Sequence, residues 1–259
     1  MSAARQLALT ALPNLPLVQP GDDLGGLILV GLRRAGLALA DGDALVVAQK
    51  VVSKAEGRQV NLAEVTPSAR ALALAEATQK DPRFVEVVLS ESAEVLRVRA
   101  NTLIVEHRLG FVCANAGVDR SNVGPPGEGG DEIVLLLPAD PDGACAQLRE
   151  RFRVEAGADV GVIINDSHGR AWRTGTVGVA IGVAGFPALL DLRGHADLFD
   201  YTLQVTQIGL ADELAAAASL LMGQADEGCP VVHARGVPYP FREGDARELI
   251  RGKAIDLFR

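Results

Sequence analysis

A carboxylate, a hydroxyl, an imidazole and two guanidiniums follow one short apolar run. Val160–Ile164 gives way to Asn165, Asp166, Ser167 and His168, and then to Gly169, Arg170, Trp172 and Arg173. A β-branched run bounded by polar turn residues predicts a buried strand. Strand ends that feed loops are where metal and phosphate chemistry is placed. The alternative is an Asx turn closing the strand, with the arginines solvated beyond it.

Two further stretches carry compatible groups. Ala114–Gly124 is rich in Asn, Asp, Ser and Gly, and Asp119 and Asn122 are three apart, so they can face the same way from a turn. The apolar run Ala44–Ala48 ends in Gln49, Lys50, Ser53 and Lys54, which suits an anion-binding rim or an ordinary lysine surface. Carboxylate oxygens at scattered positions suit Mg²⁺ or Mn²⁺ better than zinc. With lysines and glycine loops they suggest phosphoryl chemistry on a nucleotide. His107 reads as an exposed turn residue, and His195, Asp197 and Asp200 as ordinary surface.

Familiar signatures are missing. The chain has no G-x-x-x-x-G-K-[ST], no G-x-G-x-x-G after a strand, no H-E-x-x-H and no G-x-S-x-G. Its three cysteines, Cys113, Cys145 and Cys229, are widely spaced and form no zinc pattern, which fits a reduced cytoplasmic setting. A net charge of −8 argues against general nucleic-acid binding, and an anionic substrate would need local cations. No apolar run reaches the roughly 18 residues of a membrane span, and Met1–Thr10 lacks a signal-peptide core.

The elements that must position these groups alternate between strand and helix. Residues 5–12 predict an edge strand, and Leu12–Leu17, with two prolines, an extended segment. Pro20–Asp23 opens a helix running towards Gly36, and Ser68 caps another from Ala69 to Lys80. Val85–Leu89 fits a strand or a helix start. Glu91, Glu94, Arg97 and Arg99 fit an exposed charged face, and Thr102–Cys113 a hairpin turning near His107. Pro125–Gly130 is a Gly/Pro loop suited to a lid. Ile133–Leu137 predicts a strand, Gly143–Phe152 and Ile208–Leu221 helices, Val231–Val232 a strand, and the stretch from Asp245 a peripheral helix. Glycines spaced through Thr174–Gly185 allow backbones to approach closely. The 259 residues show no repeat and no sharp compositional boundary. The pattern predicts an α+β (mixed α/β) architecture, mixed sheets flanked by helices.

In order, several motifs resemble those of the coenzyme F420-0:L-glutamate ligase family. They are Leu15–Leu24, Asp41–Asp43 with Gln49–Gly57, Ala116–Val123, Asn165–Arg173 and Ala211–Glu213. The similarity runs from about residue 12 to about 236 within a single unit of residues 1–259, or two intertwined subdomains. It implies a stand-alone form without the appended reductase domain of some relatives.

The resemblance implies a GTP- and divalent-metal-dependent amide ligase acting in coenzyme F420 biosynthesis. It would add one or more γ-linked L-glutamates to the deazaflavin precursor F420-0 through an acyl phosphate. Leu15, Pro16, Leu17 and Val18 would lie along the nucleotide, with Gln49 and Lys54 near it and Asn122 contacting GTP. Met222, Gly223, Gln224, Ala225, Asp226, Glu227, Gly228 and Cys229 would close over it. Asp119 and Asp166 would hold two divalent ions, Mg²⁺ or Mn²⁺, helped by Ser167 and Gln224, with K⁺ a further candidate. Asp119, Asp166 and Lys54 would be the catalytic residues. Lys50, Arg170 or Arg173 would hold phosphates or the anionic tail of the precursor, and His168 takes no role. The family likeness further implies a cytoplasmic homodimer with no nucleic-acid or membrane partner. The competing reading is a metal-dependent nucleotide phosphohydrolase.

Overall fold

The computed structural model describes residues 4–124, 132–238 and 242–257. The expected lid, Pro125–Gly130, lies outside the described residues.

Strand β1 (Ala8–Ala11) is followed by α1 (Leu24–Arg34). Asp23 caps that helix by accepting from Gly26 N at 3.1 Å, while Arg33 and Arg34 sit at its negative end. β2 (Ala44–Ala48) runs directly into α2 (Gln49–Ala55), and β3 (Gln59–Asn61) follows. Ser68 caps α3 (Ala69–Thr78), and Asp81 caps α4 (Pro82–Ser90), which has proline in its first turn. Next come β4 (Ser92–Arg99), β5 (Thr102–His107), β6 (Val112–Ala114) and β7 (Ile133–Leu135). Asp140 caps α5 (Pro141–Ala156) by accepting from Gly143 N at 3.0 Å. β8 (Gly161–Arg170) and β9 (Arg173–Ala184) form a long hairpin, and β10 (Leu190–Asp191) pairs with β11 (Gln207–Ile208). Helix α6 (Leu210–Met222) and strand β12 (Val231–Arg235) complete the set.

The principal sheet has the order β1-β12-β2-β8-β9, with β2 and β8 parallel and the other pairs antiparallel. Its central strands are apolar on both faces because both are covered. Leu45, Val47, Val162 and Ile164 pack with Ile28 and Phe152, on the side of α1 and α5. Ala44, Val46 and Ile163 pack with Leu214 and Ala218 of α6. The period of two along each strand makes that division. A separate antiparallel sheet, β4-β5-β6, packs Leu103 and Val105 against Phe84, Val85 and Val88 of α4 and Ala71 and Ala75 of α3. The α+β class read from the sequence is the class observed, and no described helix is long and apolar enough to cross a membrane.

Close approach explains the glycines of β9. A Cβ on Gly178 would lie 2.5 Å from both Ala215 O and Asn165 Oδ1, and one on Gly182 would lie 2.6 Å from Pro141 O. Helices α6 and α5 therefore sit directly on the strand backbone.

Several expectations change. Val85–Leu89 belongs to a helix, since Asp81 and Pro82 supply a start signal. The polar residues after Ile164 are not beyond the strand: β8 continues through Asp166 and His168, held by pairing with β9, and turns at Ala171–Trp172. Glu91 and His107 are buried, not exposed. Glu91 accepts from Arg58 Nη2 at 2.9 Å and meets Arg108 at 3.2 Å, partners that only the tertiary fold provides. Burial alone would raise the Glu91 carboxyl, but His107, Arg58 and Arg108 hold it below the usual range. After Asp245 the described chain makes 3-10 turns, Ala246–Leu249 and Lys253–Ile255, in place of an α-helix.

Candidate active site

The parallel pair sets the site. Ala48 of β2 lies beside Asn165 of β8, so β2 ends where β8 begins to carry its polar side chains. This is the position at which open α/β sheets collect ligands. β2 delivers Lys50 in the first turn of α2, and β8 delivers Asp166 and Ser167.

Asp119 arrives from a third direction. Its backbone pairs with Leu135, N to O at 3.0 and 2.9 Å, so β7 fixes its height. One carboxylate oxygen accepts from Ser121 N and Oγ at 3.0 and 2.9 Å, and the other forms an ion pair with Lys50 Nζ. Asp166 accepts from His168 Nε2 at 2.9 Å. Burial pushes the Asp166 carboxyl up, but the His168 bond and charge, the Ser167 backbone and the Lys50 ammonium hold it below its ordinary value. Lys50 thus acts on both aspartates at once.

The 222–229 loop lies against this cluster through three tethers. Ser167 Oγ donates to Gln224 Oε1 at 2.8 Å, Asn122 Nδ2 to Ala225 O at 2.9 Å, and Asn165 Nδ2 to Met222 Sδ at 3.4 Å. Within the loop Ala225 N donates to Glu227 Oε2 at 2.9 Å, and Cys229 Sγ to Glu227 O at 3.4 Å. Gly223 and Gly228 take φ of 71° and 65°, which lets it turn sharply at both ends. Ala48 N donates to Pro230 O at 2.8 Å, returning the chain to the end of β2.

The fold therefore gathers Asp119, Asp166, Ser167, Asn122 and Gln224 around Lys50. Gln49 is buried and accepts from Ser53 Oγ at 2.9 Å. Lys54 is half-buried at the far end of α2, and burial, with Lys50 nearby, lowers its ammonium. Leu15, Pro16, Leu17 and Val18 flank that far end: Leu12 N donates to Val231 O and Gly21 N to Ala55 O, at 2.8 and 2.9 Å. Val18 is buried, and Leu17 is 83% exposed. Lys50 and His168 are the residues whose parts sequence reasoning underweighted. Lys50 was legible as the first cation after β2. His168 was not, because its bond to Asp166 depends on the strand continuing.

Among the described residues no three His, Cys, Asp or Glu side chains cluster as a metal cage. The donors present are two carboxylates, a hydroxyl and an amide carbonyl. Mg²⁺ is commonly held by one or two carboxylates, with water and substrate phosphates completing its shell. The donor set fits that pattern and does not fit zinc, and the Lys50 ammonium already marks the place as one that attracts positive charge.

The chain matches the model of the family described as F420-0:Gamma-glutamyl ligase over residues 14–236. It is 45% identical to the coenzyme F420:L-glutamate ligase of Methanothermobacter thermautotrophicus, covering 98% of this chain and 99% of that one. The enzyme of the same name from Methanopyrus kandleri is 50% identical, with 93% of both chains covered. That of Methanocaldococcus jannaschii is 42% identical over 95% of this chain and 94% of its own. With the motifs, the parallel-strand site and this near full-length likeness together, the chain belongs to the F420-0:gamma-glutamyl ligase family.

Proposed function

We propose that this protein is a GTP- and divalent-metal-dependent amide ligase of coenzyme F420 biosynthesis. It joins one or more L-glutamates, γ-linked, to the deazaflavin precursor F420-0. The observation that carries the reading is the convergence of Lys50, just past the end of β2, with Asp119 and with Asp166 of β8. The likeness to three coenzyme F420:L-glutamate ligases supports the ligase part.

A carboxylate does not condense with an amine in water without activation. In this reading a carboxylate oxygen of the precursor attacks the γ-phosphorus of GTP, the bond to the bridging oxygen breaks, and GDP departs. The glutamate amine then attacks the acyl carbon, phosphate leaves with the electron pair, and the amine proton passes to solvent. Asp119 and Asp166, with Ser167 and Gln224, would hold Mg²⁺ or Mn²⁺, which supplies charge neutralisation at the phosphate oxygens. Lys50 and Lys54 attract and orient the phosphates against the chain's net charge of −8. Asn122, Gln49 and the 222–229 loop enclose the nucleotide, with Leu15–Val18 alongside it. The same reading takes the enzyme as a cytoplasmic homodimer.

Incubation with GTP and Mn²⁺, with and without glutamate and F420-0, tests it. Phosphate release that needs both co-substrates supports ligation. Equal release from GTP alone would make the protein a phosphohydrolase.

A further inference from the structure

A cavity of ≈ 1040 Å³ opens between the β8–β9 hairpin, the β5–β6 turn and residues 246–256. Its volume is at the upper end of small-molecule sites, which span roughly 300–1,000 Å³, and far exceeds what an amino acid needs. One wall is apolar, with Leu96, Ile104 and Phe111. Phe111 is fixed from both sides: it stacks on buried His107 at 5.1 Å and 4°, and meets His168 at 5.4 Å. It thus offers a rigid aromatic edge to any ring that enters.

The lining is also cationic. Arg170, Arg173 and Arg247 belong to it, and among the described residues none of the three forms an ion pair. The acids Asp142 and Asp212, which also border the cavity, are committed to backbone. Asp142 accepts from Val183 N and Ala246 N at 2.8 and 3.0 Å, and Asp212 from Ala180 N at 2.8 Å. Asp140, also in the lining, accepts from Gly143 N at 3.0 Å, and Asp256 is the fourth acid there, so Arg170, Arg173 and Arg247 supply cationic groups that no described ion pair occupies.

Strand geometry separates this cavity from the nucleotide loop. Successive side chains of a strand point to opposite faces. Asn165 and Ser167 reach the 222–229 loop, whereas Asp166 and His168 pair with each other on the other face, where His168 lines the cavity. Arg170, past a register shift at Gly169, lines the same cavity as His168.

We propose that this cavity is the binding site for the deazaflavin acceptor, an inference that rests on the ligase reading above. The aromatic ring lies against Leu96, Ile104 and Phe111. The anionic tail lies along Arg170 and Arg173, and its reactive carboxylate reaches the His168 end, next to Asp166. Arg170 and Arg173 thereby serve the acceptor tail and not the GTP phosphates.

The test is calorimetric binding, without GTP, of F420-0 and of the deazaflavin ring lacking its anionic tail, to wild type, Arg170→Gln, Arg173→Gln and Phe111→Leu. Loss of one charge-assisted contact predicts about tenfold weaker F420-0 binding for each arginine variant, with binding of the tail-less ring and KM for GTP unchanged. Phe111→Leu weakens both ligands. Arginine variants that bind F420-0 like wild type, or that raise KM for GTP instead, overturn the assignment. If wild type binds F420-0 with this pattern yet forms no glutamylated product, the site stands and the ligase reading fails. Ligation by wild type with unaffected arginine variants has the opposite meaning.

Discussion

Ser167 Oγ donates to Gln224 Oε1 at 2.8 Å, joining the β8–β9 hairpin to the loop after α6. The same loop is held by Asn122 at Ala225 and by Asn165 at Met222. Loop position therefore depends on the strand that carries Asp166.

Removing that hydroxyl should loosen the loop. A hydrogen bond of this kind contributes about 1 kcal/mol net, so Ser167→Ala should raise KM for GTP by about fivefold. Steady-state kinetics with GTP varied measures it, and an unchanged KM would show that the loop does not need the tether.

Asp119→Asn and Asp166→Asn keep shape but remove charge. Each should lower kcat by about 10²-fold or more, while circular dichroism and thermal unfolding stay near wild type. Lys50→Met should strengthen Mn²⁺ binding to the nucleotide-free protein, because the ammonium on Asp119 no longer competes, while weakening GTP. Metal titration by calorimetry reads the first effect. Weaker metal binding in Lys50→Met would contradict it.

At the other end of β2, Asp43 is buried. It accepts from His233 Nε2 at 2.8 Å, Arg235 Nε and Nη2 at 2.8 and 2.6 Å, and Ala40 N at 2.9 Å. Burial acts to raise its carboxyl, yet Arg235 and His233 leave it below the ordinary value. A carboxyl lowered by folding stabilises the protein above its unfolded value of about 3.9, and loses that contribution as pH falls through the folded value. Asp43→Asn should therefore cost about 3 kcal/mol near neutrality, and the gap from wild type should shrink below about pH 4. Urea unfolding at a series of pH values checks both points.

Gly178→Ala tests the close packing of α6 on β9. Its Cβ would lie 2.5 Å from Ala215 O, a backbone atom with little freedom to move. Overpacking of this type costs about 1–3 kcal/mol, read as a lower denaturation midpoint. An unchanged midpoint would mean that α6 shifts freely.

Much of the fold was legible from local chemistry. The continuous apolar run at Ala44–Ala48 marked a strand covered on both faces, and Pro20–Asp23 and Ser68 marked helix starts that the structure uses. The alternation of glycine with small residues in Thr174–Gly185 marked a close backbone approach, whose partners, α5 and α6, only the structure supplies. The site was legible as a set of groups but not as an arrangement. Asp119 and Asp166 each stood out for ending polar turns, yet their shared partner Lys50 lies on α2, whose seven residues carry no capping side chain. Glu91 and His107 escaped notice as buried residues because their burial depends on Arg58 and on stacking with Phe111. His168 looked unattached because polar residues after Ile164 suggest a strand end, while hairpin pairing with Val177 keeps it in the strand.

Mass spectrometry of the product after incubation with F420-0, GTP, L-glutamate and Mn²⁺ tests the proposed GTP-driven amide-bond formation most directly. Ligation predicts F420-0 heavier by one or more glutamyl units, formed only with GTP present and lost in Asp166→Asn. Unmodified F420-0 alongside GDP and phosphate would contradict it.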